Sequence, residues 1–180
     1  MTLSDADRLS AMDVALQRMH SDLGDATFAE VRFEIESERF RDLPVTTWLE
    51  LQSGSYVEPL HTMGNPAFRL TGRGWIAALK GVGEYDNQRD RVIALRSALK
   101  DVVKGRSLYG EITDVRSLEL QTSLPGNWIA NALTSRLLQY WWPGQHLDVD
   151  LTHGLRGIRV PARFGSNRLG GYEAGPFPDP

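Results

Sequence analysis

The run FRLTGRGWIAAL, residues 68–79, constrains the fold more than any other stretch of this chain. Phe68 to Leu70 read as extended backbone, and Thr71-Gly72 breaks it. Trp75, Ile76 and Leu79 then recur at helical spacing. Thr71 thus ends a strand and caps a helix over 72–80 in a single step. The strand needs a partner, and Tyr56 to Leu60 supplies one. Met63-Gly64-Asn65-Pro66 is the turn between them, so the run closes a β-hairpin.

Helices are expected ahead of the hairpin. Over residues 4–23, Ser4 can cap, Asp5 and Asp7 favour the positive end, and Gly24 can stop the helix. Leu9, Met12, Leu16, Met19 and Leu23 form its apolar stripe. ATFAEVRFEIESERF, residues 26–40, carries two patterns. Phe28, Val31 and Ile35 suit a helix, whereas VRFEIE alternates as a strand does. Thr27 followed by Glu30 makes a capping box, which predicts helix. After Leu43-Pro44 a third helix starts near Thr46 or Thr47, with Trp48, Leu49 and Leu51 as core candidates.

The order helix, helix, helix, hairpin, helix resembles a winged helix. There the second and third helices form a helix-turn-helix and the hairpin is the wing. Leu70-Thr71-Gly72-Arg73-Gly74 is also similar to the Leu-Thr-x-x-Gly step by which many winged-helix proteins leave the wing. In physical terms the Thr hydroxyl caps the helix and the glycine allows close backbone packing.

The second half repeats the theme. Residues 85–105 predict a long helix with Val92, Leu95, Leu99 and Val102 as its stripe, broadened by Ile93 and Val103. A helix is predicted over 112–122, then a Leu-Pro-Gly-Asn turn, then a helix over 128–142. HLDVDLTHGLRGIRVPARF gives two extended runs about a turn, a second wing. The word LELQ stands at 49–52 and again at 118–121, a hint of related modules. The expected fold class is therefore α+β and mostly helical, with tandem winged-helix-like modules and small β-hairpin wings. The modules span 1–82 and 111–164, with a linking or dimerisation helix over 83–110 and a flexible Gly/Pro-rich tail over 165–180.

Charge is uneven along the chain. Residues 1–60 hold five basic and twelve acidic side chains, whereas residues 69–106 hold nine basic and four acidic. Phosphate would be repelled by the first third, so a nucleic-acid partner has to meet the later part. With no cysteine, disulfides, thiol nucleophiles and Cys-ligated zinc are excluded, and a reducing cytosol is expected. The acidic, polar N-terminus is wrong for a secretory signal, and no long apolar run predicts a membrane span.

The helix beginning near Asn127 is the strongest candidate for reading DNA. Trp128, Ile129, Ala132, Leu133 and Leu137 take its core side, leaving Asn127, Asn131, Thr134, Ser135, Arg136 and Gln139. Asn and Gln can pair bidentately with adenine, and Ser or Thr can reach a base or phosphate. Arg156, Arg159 and Arg163 on the second wing, and Arg73 on the helix after the first, are candidate phosphate contacts. An uncharged solvated face is the competing reading of that helix. The basic helix over 85–106 can contact phosphates, but a solvated face around a packed stripe or a dimer contact is the preferred reading.

Other constellations carry less chemistry. His146, Asp148 and Asp150 alternate on a strand with His153 nearby, but no further ligand motif makes a metal site, so an ordinary polar wing is expected. Glu30, Glu34, Glu36 and Glu38 read as a solvated face able to meet a basic protein. GxSxG, GxxxxGK[ST], HExxH and GxGxxG are all missing. The resemblance thus implies a non-enzymatic, cytoplasmic DNA-binding regulator without cofactor or metal. Double-stranded DNA is the expected partner, no membrane is involved, and a homodimer is allowed. The alternative is a winged-helix protein-interaction module that does not touch DNA.

Overall fold

The computed structural model describes residues 4–23, 32–60, 66–104, 110–135, 148–150, 157–162 and 164. The fold is α+β and mostly helical, with two small antiparallel sheets. The chain divides into two compact units, residues 1–85 and 86–179. Among the described residues, no helix is long and apolar enough to cross a membrane.

The first unit runs α1 (Asp5–Leu23), β1 (Phe33–Glu34), α2 (Val45–Ser53), β2 (Val57–Leu60), β3 (Ala67–Leu70) and α3 (Gly72–Gly81). Its sheet order is β1-β3-β2, with Phe33 opposite Phe68 and Val57 opposite Leu70. Ala15, Leu16 and Met19 of α1 are buried, as are Trp75, Ile76, Ala78 and Leu79 of α3, and the two helices pack together. Trp48 of α2 stacks on Phe68 with centroids 5.5 Å apart and meets Phe40 edge-on at 5.3 Å. Such aromatic pairs add to simple area burial and fix relative orientation.

The junction at Thr71 works as its residue types suggest. Thr71 is the N-cap of α3, and its Oγ1 accepts from the Gly74 N–H at 3.1 Å. The same hydroxyl lies within donating distance of the Ser55 and Tyr56 carbonyls. Thr71 N also donates to Tyr56 O at 3.0 Å. Gly74 then passes so close that a Cβ there would lie 1.9 Å from Tyr56 O.

The second unit runs α4 (Tyr85–Val103, whose first residue closes the first unit), β4 (Glu111–Thr113), α5 (Val115–Thr122), α6 (Gly126–Thr134), β5 (Asp148–Asp150) and β6 (Gly157–Val160). The sheet order is β4-β6-β5, both pairings antiparallel. Gln88, Val92, Leu95 and Leu99 form the buried line of α4. Leu118, Trp128, Ile129, Leu133, Ile158 and Val160 are the other large buried side chains of this unit's helices and strands. Gly110 has φ +86 and sits where a Cβ would be 2.4 Å from Val160 O, so only glycine admits β4 this close to β6.

Several expectations are corrected. The helix expected over 26–40 is replaced, where it is described, by β1 and a chain of turns. Ser37 N donates to Glu34 O, Phe40 N to Ser37 O and Leu43 N to Phe40 O. The alternation in VRFEIE prevails because Phe33 is buried opposite Phe68 and Ile35 N donates to Pro66 O, pairings a local helix would lose. The Thr27–Glu30 box lies outside the described residues. The helix expected over 112–122 starts later, because residues 111–113 pair with β6 and Asp114 caps α5. The helix expected to run to 142 ends at Thr134, with Ser135 already extended at φ −88 and ψ 138. Thr134 Oγ1 donates back to Ala130 O at 3.0 Å within that last turn. Leu9, Leu49 and Ile93 prove exposed rather than core. The 165–180 tail lies outside the described residues.

One pH dependence arises in α1. His20 lies half-buried in its last turn, and its Nε2 has no hydrogen-bond partner. Burial lowers the imidazole pKa from its ordinary 6.5, only partly opposed by the Glu84 carboxylate. The unfolded chain therefore takes up this proton at a higher pH than the folded one. Stability should be full above the ordinary imidazole value and decline as pH falls through it toward the folded value. Thermal melts between about pH 7.5 and 5 should show this decline, and His20→Gln should flatten it. An equal slope in the variant would assign the decline to other groups.

Candidate nucleic-acid interface

The candidate interface is built on α5, α6 and the two hairpin strands of the second unit. Asp114 caps α5 by accepting from Ser117 N at 2.6 Å. That backbone hydrogen bond is the main reason its carboxyl lies below the usual carboxylate range. α5 stops where Ser123 takes a left-handed conformation, φ 59, with its N–H donating to Glu119 O. Three residues later α6 begins, and Gly126 N donates to Glu119 Oε1 at 3.0 Å, tying the start of α6 to α5. The Glu119 carboxylate thus also faces the positive end of α6.

α6 is fixed by its buried side. Trp128, Ile129, Ala132 and Leu133 are buried, and Trp128 Nε1 donates to Gln88 Oε1 of α4 at 3.0 Å. The opposite side carries Asn127, Asn131 and Thr134 at i, i+4 and i+7, a single helical face. Asn127 and Thr134 are exposed, while Asn131 and Ser135 are half-buried. Asn127 Oδ1 accepts from Trp128 N at 2.9 Å, and the amide nitrogen of this exposed side chain can only donate. The Thr134 hydroxyl is turned back onto its own helix. No acidic residue lies on this helix.

Of the candidate arginines, Arg159 is exposed on β6, between buried Ile158 and Val160. The register sets it opposite Ile112 on one side and Asp148 on the other. Arg73 belongs to the first unit, exposed on α3 with its guanidinium 4.7 Å over the Tyr56 ring. Arg136, Gln139, Arg156 and Arg163 lie outside the described residues, as do His146 and His153. Among the described residues no three His, Cys, Asp or Glu side chains gather to hold a metal.

Residue types alone did not single out two neighbours of this surface. Gln88 precedes Val92, Leu95 and Leu99 by four, seven and eleven positions, so the buried stripe of α4 could have been extended back to it. Ile112 stands beside Arg159 only because of strand pairing, which no local pattern announces. Ile112 also lines, with Asp101, Val102, Thr113, Asp114, Ser117 and Gln121, an open cleft of about 500 Å³. Asp114, capped and lowered in pKa, is an anion near neutral pH and not a proton donor.

The chain matches no family model, no curated protein and no solved structure.

Proposed function

We propose that this chain is a non-enzymatic DNA-binding protein of regulatory type, built from two winged-helix units and working in the cytoplasm. In this reading the second unit meets the duplex. α5 and α6 act as the helix-turn-helix, the β5–β6 ribbon is the wing, and Asn127 and Asn131 face base edges. The observation that carries the reading is the order helix, strand, helix, helix, strand, strand with the last strand central in its sheet. The first unit has the same strand order, with turns in place of one helix. The amide side of α6, with Asn127 exposed and Asn131 half-buried and no acidic residue in the helix itself, supports it further.

The test is binding of a mixed-sequence duplex across a salt series. Affinity should fall steeply between about 50 and 200 mM salt, as counterion release requires. Asn131→Ala should reduce discrimination among sequences by about 1–3 kcal/mol per contacted base and leave the salt slope unchanged. No binding at the lowest salt would end the DNA reading.

A second reading has its own observation. On α2 of the first unit, Val45 and Leu49 are exposed at i, i+4, beside Glu50. That unit's arginines are mostly tied to acids, as in Arg8–Glu50, Arg18–Asp42, Arg32–Glu34, Arg39–Asp22 and Arg69–Glu58. An apolar helix face in acidic surroundings suits a basic protein better than phosphate. If duplex binding fails, this docking role is the reading that stays.

A further inference from the structure

Arg96 stands on α4 without a counter-charge. Its side chain is half-buried, its Nε is fully buried, and no acceptor or carboxylate meets it among the described residues. Desolvation lowers its pKa, and no neighbouring acid opposes that effect. A cation held this way is destabilising until an anion arrives. Its helical neighbours have the same sign. Arg89 lies seven residues before and Lys100 four after, so the three share one face of α4. Lys100 is exposed and has no ion pair among the described residues. Asp86, Asp90 and Asp101 fall to one side of that line on the same helix.

We propose that Arg96, with Lys100 one turn further along, seats a phosphate group against α4. The guanidinium fork offers parallel N–H donors to phosphate oxygens, and partial desolvation strengthens each of them. The proposal rests on the nucleic-acid reading only for the source of the phosphate, a duplex strand as against a free polyphosphate.

The experiment uses the full chain as wild type, Arg96→Gln and Arg96→Lys. Duplex binding is followed by anisotropy across the salt series, and inorganic tripolyphosphate is titrated by calorimetry. Arg96→Gln should bind duplex about 5- to 10-fold more weakly at low salt, with the log–log salt slope reduced by about one. Arg96→Lys should keep that slope. Because an uncompensated charge is removed, Arg96→Gln should melt at or above the wild-type temperature. Arg96-dependent tripolyphosphate binding without duplex binding would keep the seat for a free ligand and end the DNA reading. Binding of both probes unaffected by Arg96→Gln, or seen with neither probe in the wild type, would overturn the proposal. So would a Gln variant that melts well below wild type, because Arg96 would then be structural.

Discussion

Gly74→Ala should cost the first unit about 3 kcal/mol or more and lower its melting temperature by at least about 10 °C. The sign is opposite to the usual one. Alanine in a helix is ordinarily better than glycine by about 1 kcal/mol. Here the added methyl carbon would sit 1.9 Å from Tyr56 O and 2.8 Å from Tyr56 C. The Tyr56 carbonyl cannot move aside, because both Thr71 N and the Thr71 hydroxyl engage it. Either α3 leaves the hairpin or the cap breaks. Gly81→Ala, at the other end of α3, is the control. A Cβ there meets only the Gln17 side chain, at 3.5 Å, so its effect should be neutral or slightly stabilising. Thermal melts of the two variants decide it. Equal melting temperatures would mean that α3 shifts away from the Tyr56 carbonyl at little cost.

Trp128→Ala should be comparably damaging to the second unit. A buried Trp-to-Ala change costs about 3–5 kcal/mol in lost burial and cavity. The buried Gln88 Oε1 would also lose its donor, about 1–3 kcal/mol more at full desolvation. Trp128→Phe separates the two effects, since it keeps most of the ring and removes only the N–H. Urea unfolding should rank wild type above Phe and Phe above Ala. Adding Gln88→Leu to Trp128→Phe should recover stability, because neither polar atom is then left alone. If the Phe and Ala variants unfold together, the hydrogen bond matters and the ring packing does not.

The parts legible in the sequence are those whose cause is local. The stripe of α4 and the Thr71 cap each act within a few residues and are found where their spacing puts them. The word LELQ shows where local reading ends. In α2 Leu49 is exposed and Leu51 buried, whereas in α5 Leu118 is buried and Leu120 is exposed. Four identical letters turn opposite sides inward, because the surrounding elements decide which side is inside. The two copies are not equivalent in order either, since α2 leads into a strand and α5 into another helix. β4 was hidden for a related reason, and the strand pattern of β1 could not be chosen over a helix, as their partners lie some tens of residues away. The polar face of α6 could be read as what its apolar stripe leaves over. The isolation of Arg96 could not, because desolvation exists only once the chain is packed.

In each sheet the middle position belongs to the strand synthesised last, β3 in the first and β6 in the second. A growing chain therefore carries β4, α5, α6 and β5 with no hydrogen-bonding neighbour for either outer strand until residue 157 onward emerges. Up to that moment both ribbons keep bare edges, a period in which stray pairing with another nascent chain competes with correct closure.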